Sequence, residues 1–382
     1  MRRVIYENET FRMGKNVDLN ACVGNNGFID LYTYQCGYYE ATIELINSIK
    51  KSWTKADLLI YPVVYSARHT IELFLKNQLF NLKYINSKAK GVKFESQLIN
   101  THEIKELWNQ FKKLSAVDIR YEPYTKDLEE YISDFYQVDN TGETFRYPFS
   151  HEDVRHLTDL ACINIDIFEK RFTQLYKMID ELGYLTDFLI NEYKEGTVIK
   201  GLSRQQIKEI ALELPARKDW GENVFAIKKA EILKKYNISS TTFSKVLSLI
   251  QRHKEFASYV GLEVPLSEIN KDQLKAYIGL YHKYHQDVKK GDYLEIKNNY
   301  VDIICKELPP EVIQSLSALA DIGYYHLYPE AYDRIIKEKA DQDVFNIVFD
   351  DLLDRRIVLD KIKEVLQILG QRTLLQSFEY VA

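Results

Sequence analysis

The apolar residues of this chain recur mainly every three to five positions, which is the spacing of one face of an α-helix. Between 157 and 182 they predict one long amphipathic helix, with Gly183 as its C-cap. Its stripe is Leu157, Leu160, Ile165, Phe168, Phe172, Leu175, Ile179 and Leu182. Residues 59–82 predict a second helix with the stripe Val64, Ala67, Ile71, Phe74, Leu75, Leu79 and Leu82. Strand alternation never persists for more than a few residues, so we predict an all-α fold.

Composition agrees with long packed helices, because the chain has 28 Tyr and 18 Phe but only 15 Gly and 8 Pro. Its 382 residues exceed what one core usually organises, which indicates two or three domains. No apolar run approaches the roughly 20 residues of a membrane span, and "MRRVIYENET" does not resemble a signal peptide. We therefore expect a cytoplasmic protein that does not enter a membrane. The four cysteines show no CxxC spacing and are expected to be free thiols.

Charge divides the chain into three parts. Residues 199–260 carry 12 Lys or Arg against 6 Asp or Glu, whereas residues 291–382 carry 10 against 17, in a protein of net charge −5. Helical periodicity fades near 190–198, and a second boundary is expected near 260–295, around "GLEVPLSEINKD" and "VKKGDY". We predict a helical bundle over 1–195, a basic unit over 196–265 and an acidic helical region over 266–382.

The basic unit is patterned as three helices with a helix-turn-helix-like arrangement. Ser203 is the expected N-cap of the first helix, and Ser239 or Ser240 of the third, whose Phe243, Val246, Leu247 and Ile250 should face inward. On a recognition helix the outward residues would contact phosphates and base edges of RNA or DNA. The candidate nucleic-acid-binding residues are Lys228, Lys229, Lys234, Lys235, Thr241, Thr242, Lys245, Ser248 and Arg252. Contact with another protein is the alternative role of such a unit.

Candidate catalytic chemistry is concentrated in "TGETFRYPFSHED" at 141–153, where Arg146 and His151 stand in an R-x4-H arrangement. "SHED" predicts a helix start with Ser150 as N-cap and Asp153 returning the capping interaction. His151 would then occupy the first helical position, where the helix dipole disfavours its protonated form. The stretch is thus either a catalytic pair or a structural turn in which Arg146 binds a buried carboxylate.

Arg68 and Glu72 lie one helical turn apart on the second predicted helix. A glutamate beside an apolar stripe needs a cation or donors, so Glu72 with Arg68 or Arg146 would form a satisfied core network. In the functional alternative, one polar cleft gathers the side chains of Arg68, His69, His102 and Arg146. The sequence leaves both open.

Three stretches, "ARHTIELFLKNQLF" at 67–80, "THEIKELWNQF" at 101–111 and "FRYPFS" at 145–150, resemble the HEPN superfamily, in particular bacterial HEPN-like proteins associated with phage defence. The resemblance covers roughly 35–190 and implies a four- or five-helix bundle that often dimerises. It also implies a metal-independent ribonuclease site in which His151 exchanges protons and Arg146 holds the phosphate, supported by Arg68, Glu72 and His102. In typical active members both motif residues lie on one helix, whereas here Pro148 falls between them.

Other motifs add little. His282 and His285 have i, i+3 spacing, but no further metal-ligand motif accompanies them, so no metal or cofactor is expected. We expect an RNA endonuclease acting in bacterial defence or as a toxin, working as a dimer. The alternatives are an inactive HEPN scaffold that binds RNA, DNA or a defence partner protein, and a sensor whose acidic tail covers the basic unit.

Overall fold

The computed structural model describes residues 9–27, 30–93, 100–150, 152–199, 201–355 and 357–379. Within these ranges every regular element is a helix, with two isolated β-bridges and no strand, as the all-α prediction required. The chain divides into two compact units, residues 1–190 and 191–382. The finer division of the second unit into basic and acidic parts stays a prediction.

The first unit is built from long helices and a largely irregular segment, 139–164. Its helices are α1 Leu31–Lys51, α2 Ala56–Lys90, α3 Ile104–Ser115, α4 Glu122–Val138 and α5 Ile165–Lys194, the last of which continues just past the boundary. α1 and α2 pack along much of their length, and α3 packs on both α2 and α4. The predicted stripe of α2, from Val64 to Leu82, is buried as expected.

The helix predicted from 157 was wrong at both ends. Leu157 has a left-handed backbone with φ 57°, so it cannot start the helix, and α5 begins only at Ile165. The Asn164 side chain accepts a hydrogen bond from the Ile167 amide at 3.0 Å and caps the new start. Gly183 lies inside α5 and does not end it.

The second unit contains many shorter helices. They are α6 Arg204–Glu213, α7 Asn223–Lys235, α8 Ser240–Arg252, α9 Lys254–Tyr259, α10 Lys271–Asp287, α11 Tyr293–Glu307, α12 Pro310–Tyr325, α13 Ala331–Lys339, α14 Val344–Asn346, α15 Val358–Ile368 and α16 Arg372–Leu375. A π-helical stretch, Ile347–Leu353, follows α14 directly. α6 to α9 share one apolar cluster, and α10 to α16 share a larger one. Ser203 caps α6 as predicted, and of the two predicted candidates for α8 it is Ser239 that caps the helix, while Ser240 is its first residue.

Candidate functional site

Arg68 ties three parts of the first unit together. It lies on α2 with only 1% of its surface exposed. Its Nε donates to the Asp139 carbonyl at 3.1 Å, its Nη1 to Glu72 Oε2 at 2.6 Å, and its Nη2 to the carbonyls of Asn140 at 2.9 Å and of His102. The guanidinium therefore fixes α2 to the residue pair after α4 and to the segment before α3. Its fork of donors suits this role, which a lysine could not fill.

Glu72 is the buried carboxylate that pairs with Arg68, and together with His69, Lys76 and His102 the two form one cluster centred on this buried pair. Besides Arg68, its carboxylate accepts from Lys76 Nζ at 2.8 Å and is hydrogen-bonded to His102 Nδ1 at 2.7 Å, while His69 Nδ1 lies at 3.7 Å. Burial opposes ionisation, but the neighbouring His69, Lys76, Arg68 and His102 side chains stabilise the charged carboxylate more strongly and hold the pKa of Glu72 well below its ordinary range. Glu72 is thus a permanently charged anchor, and it is poorly suited to exchange protons.

Four of the predicted site residues, Arg68, His69, Glu72 and His102, therefore meet in one place. Arg146 does not join them by direct contact. The carboxylate predicted as a partner for Arg146 is bonded to Arg68 instead. Of the two partners considered for Glu72 in a buried network, Arg68 and Arg146, it is Arg68 that binds it.

Arg146 is connected to this cluster through the loop that follows α4. Asp139 Oδ1 accepts from the amides of Gly142 at 2.8 Å and Thr144 at 3.3 Å, and Arg146 Nε donates to the Gly142 carbonyl. Gly142 has φ +85°, and a Cβ there would lie 2.9 Å from Arg68 Nη1. The loop can therefore close over Arg68 only because residue 142 has no side chain.

The Arg146 guanidinium is exposed and lies over two aromatic rings, at 5.5 Å from the centroid of Tyr65 and 5.4 Å from that of Tyr147. Tyr65 in turn stacks with His69 at 5.8 Å. Aromatic faces attract cations electrostatically, so these rings hold the guanidinium without neutralising its charge. The charge of Arg146 stays available to an anion.

Arg146 lines a cleft of about 750 Å³, and two further polar residues reach the same cleft from a later turn. Its walls are Tyr61, Thr144, Phe145, Arg146, Tyr147, Pro148, Arg155, His156, Leu157, Thr158, Leu160 and Ala161. Arg155 is exposed, and His156 is half-buried. Among the described residues, no hydrogen-bond partner is found for the buried Nε2 of His156. The walls of the cleft contain, within the described ranges, two arginines and no carboxylate, which favours an anionic ligand.

A tight turn brings Arg155 and His156 back towards Arg146. Phe149 and Arg155 form a β-bridge, and the His156 amide donates to the Pro148 carbonyl at 3.0 Å. No helix starts at "SHED": Ser150 Oγ instead accepts from the amides of Glu152 and Val154, each at 3.2 Å. The predicted cap was therefore wrong.

The reason is the left-handed backbone of Asp153, with φ 57°, which turns the chain back on itself at the point where a helix would continue. His151, the second member of the R-x4-H pair, lies outside the described residues.

Arg155 and His156 were missed by the sequence reasoning. The R-x4-6-H spacing singles out Arg146 and His151 alone, and the helix start predicted at "SHED" would have placed 155–156 inside a helix. The sequence feature that could have indicated them is an adjacent Arg-His pair between two turn-forming segments. The turns bring this pair to the cleft, and the spacing of apolar residues carries no information about turns.

The predicted nucleic-acid face of α7 and α8 is only partly available. Lys228 pairs with Glu231 at 2.7 Å, and Lys235 with Glu213 at 2.6 Å. Thr242 is buried and its amide bonds to the capping Ser239, so its predicted outward position was wrong. The remaining predicted cations have no ion pair in the described part of the chain; they are Lys229, Lys234, Lys245 and Arg252. Thr241 and Ser248 are exposed.

In the described ranges, no helix has both the length and the apolar character required to cross a lipid bilayer. Comparison of the chain with protein-family models, with curated proteins and with solved structures finds no match. The HEPN resemblance of residues 35–190 therefore stays a prediction, and the function has to be argued from the site itself.

Proposed function

We propose that the first unit binds RNA in the cleft of Arg146, Arg155 and His156 and cleaves its phosphodiester chain without a metal ion. The observation that carries this proposal is the meeting of two arginines and an imidazole in one 750 Å³ cleft, whose walls, in the part of the chain that the structure describes, contain no carboxylate. Arginine pairs well with phosphate oxygens. Tyr61 and Tyr147 add ring faces on which unstacked bases can lie, which is how single-stranded RNA is commonly bound.

The proposed reaction is an intramolecular transesterification. The ribose 2′-oxygen attacks the adjacent phosphorus, the bond to the 5′-oxygen of the next nucleotide breaks, and a 2′,3′-cyclic phosphate remains. One imidazole takes the proton of the 2′-hydroxyl and another group protonates the leaving oxygen. His156 and the sequence-predicted His151 are the candidates for these proton transfers, and the two arginines stabilise the charge that develops on the phosphate.

Arg68, Glu72 and His102 have a positioning role in this proposal. They hold the loop 139–146 through the bonds from Arg68 to the Asp139 and Asn140 carbonyls. Their contribution would be the placement of Arg146 at the mouth of the cleft. The HEPN resemblance implies the same reaction class, and on that basis we propose that the protein is an RNA-cleaving effector of a bacterial defence or toxin system that works as a dimer.

The test is cleavage of a single-stranded RNA by the full-length protein in EDTA, with analysis of the product ends. We expect 2′,3′-cyclic phosphate ends, and at least a hundredfold slower cleavage in Arg146→Ala, Arg155→Ala and His156→Ala. Arg372→Ala is the matched control, because Arg372 is an exposed arginine of the second unit. His151→Ala tests the predicted second imidazole.

Absence of cleavage by the wild-type protein under all conditions, with RNA binding retained, would reduce the proposal to a binding site. Equal loss of RNA binding and of thermal stability in the cleft variants would indicate that these residues only maintain the fold. A reaction that depends on added Mg²⁺ would overturn the proposed chemistry.

A second candidate function is nucleic-acid binding by α7 and α8. The observation that favours it is the arrangement of these helices, which are joined by the short turn Tyr236–Ser239. Within the described ranges, no ion pair is found for Lys229, Lys234, Lys245 and Arg252. Binding of this kind should weaken as salt rises, since phosphate contacts release counterions.

Replacing those four residues by alanine should weaken DNA or RNA binding and flatten its salt dependence. Lys228→Ala with Lys235→Ala is the matched control, because Glu231 and Glu213 already neutralise these two charges. If the loss of affinity per removed charge is the same for the four-residue and the two-residue variant, the binding is diffuse attraction to a basic region and this helix-turn-helix-like face is not a site.

A further inference from the structure

The first unit has a second opening whose chemistry differs from that of the arginine-lined cleft. This apolar groove encloses about 270 Å³ between α2, the end of α4, the segment 160–164 and the start of α5. Most of its walls are aliphatic or aromatic side chains, and four of them are phenylalanines: Phe135, Phe145, Phe168 and Phe172. Walls of this kind favour a ligand with an apolar body, because such a ligand leaves water when it binds.

Asp139 lies in these walls and is the polar residue that indicates a ligand. Only 2% of its surface is exposed. Its Oδ1 accepts from the amides of Gly142 and Thr144, but no hydrogen-bond partner is found for its buried Oδ2 among the described residues. A buried oxygen without a donor costs folding free energy, and the cost is larger when the oxygen carries charge. Such atoms usually have a bound molecule or water beside them.

The other polar side chains of the apolar groove already have partners. Arg171 pairs with Glu130 at 3.0 Å and with Asp134 at 2.6 Å, so its charge is neutralised at the rim and does not serve Asp139. The Asn164 side chain caps the start of α5. A polar group of a ligand in this groove would therefore bond to Asp139.

A buried carboxylate oxygen in an apolar groove is best matched by a primary ammonium group. Such a group supplies both the opposite charge and the N–H donors that Oδ2 lacks, and charge-assisted hydrogen bonds are the strong ones. A metal ion would need several oxygen ligands, and in the described ranges no three His, Cys, Asp or Glu side chains converge. The charge of Asp139 therefore favours an organic amine over a metal ion.

The aromatic walls favour a ring as the body of that amine. The ring centroids of Phe168 and Phe172 lie 6.0 Å apart, and that of Phe135 lies 6.2 Å from Phe168 and 6.4 Å from Phe172. A further ring would add edge and face contacts to this group. An apolar cavity of about 150 Å³ holds one benzene molecule, so a groove of about 270 Å³ has room for a ring with a short chain.

We propose that the apolar groove binds a small arylalkylamine, with its ammonium group on Asp139 Oδ2 and its ring against Phe135, Phe168 and Phe172. The test is calorimetric titration of the full-length protein with phenethylamine. We expect saturable binding that is at least about tenfold tighter than that of ethylbenzene, which has the same ring and no donor. Phenethyl alcohol, a neutral donor of the same size, should bind with an affinity between the two.

Asp139→Asn tests the contact itself. Asparagine keeps the shape and one oxygen for the Gly142 and Thr144 amides, but it places an NH₂ group where Oδ2 lies. This variant should bind phenethylamine at least about tenfold more weakly. It should also bind benzyl methyl ether, which can only accept hydrogen bonds, more tightly than the wild type does, a gain that misfolding cannot imitate. Asp127→Asn, an exposed position of α4 outside the groove, is the matched control and should change neither affinity.

Four results would overturn the proposal. Absence of saturable phenethylamine binding would leave Oδ2 to a water molecule. Equal affinity for phenethylamine and ethylbenzene would mean that the apolar walls alone bind, and binding of phenethyl alcohol as tight as that of the amine would remove the role of charge. Unchanged affinity of Asp139→Asn for phenethylamine would place the amine elsewhere. No RNA is present in these titrations, so their outcome does not depend on the proposed ribonuclease function.

Discussion

Replacing Glu72 with glutamine tests how far the buried cluster maintains the first unit. The change keeps the shape of the side chain and removes its charge. It leaves the Arg68 guanidinium, only 1% exposed, without a counter-charge. Breaking a buried ion pair from one side typically costs about 3–5 kcal/mol. We expect Glu72→Gln to lower the free energy of unfolding by about 3 kcal/mol, because the amide oxygen of glutamine still accepts one hydrogen bond. The other partners, Lys76 and His102, are more exposed than Arg68, so water replaces more of their lost interaction with the carboxylate.

The pH dependence provides an independent check. The folded-state pKa of Glu72 is lowered from its ordinary value of 4.5, so its stabilising effect is complete above about pH 5 and declines as the pH falls below 4.5. The difference in the free energy of unfolding between the wild type and Glu72→Gln should therefore shrink as the solution is acidified. Urea unfolding gives the free-energy difference, and hydrogen exchange of α2 and α3 peptides reports on the first unit alone.

Glu44→Gln is the matched control, because Glu44 is exposed on α1 and should change stability by less than about 0.5 kcal/mol. A cost for Glu72→Gln below about 1 kcal/mol would refute the reasoning. So would a cost that is the same at pH 3.5 and pH 6, because the charge of Glu72 would then not be its source.

Two further changes test the local geometry. Gly142→Ala should lower stability by about 1–3 kcal/mol, because φ is +85° and the new Cβ would contact Arg68. Gly91→Ala is the control: its φ is +65° but the space around it is open, so it should lower stability less in the same thermal melt. Equal costs would show that the contact with Arg68 is irrelevant. Ser203→Ala should cost about 1 kcal/mol, because it removes the capping box with Gln206, and unchanged exchange of the α6 amides would contradict this.

Periodic patterns predicted those helices whose stripes are buried against neighbours. The stripe of α2 was correct residue by residue. The cap Ser203 was found, and the cap of α8 was narrowed to Ser239 or Ser240, because capping chemistry is local. The start of α5 was misplaced because Leu157 is apolar but has a left-handed backbone. Apolar spacing alone does not distinguish a helix from a turn whose apolar residues line a cleft.

The site was predictable only as far as local contacts determine it. Arg68 and Glu72 are one helical turn apart, so their pairing could be expected. The meeting of Arg146 with Arg155 and His156 depends on turns at Gly142 and Asp153, which the sequence pattern did not reveal. Thr242 shows the same limit, since its spacing suggested an outward position and packing of α8 buries it.

The bonds of Arg68 also bear on the order in which the first unit forms. They join residues 34, 71 and 72 positions apart, and such contacts are made only after a long stretch of chain has been closed into a loop. α2 can form early from local contacts, but the loop that carries Arg146 has to wait for the docking of α3 and α4. The cleft is therefore assembled late in folding, and a partly folded first unit would not yet have it.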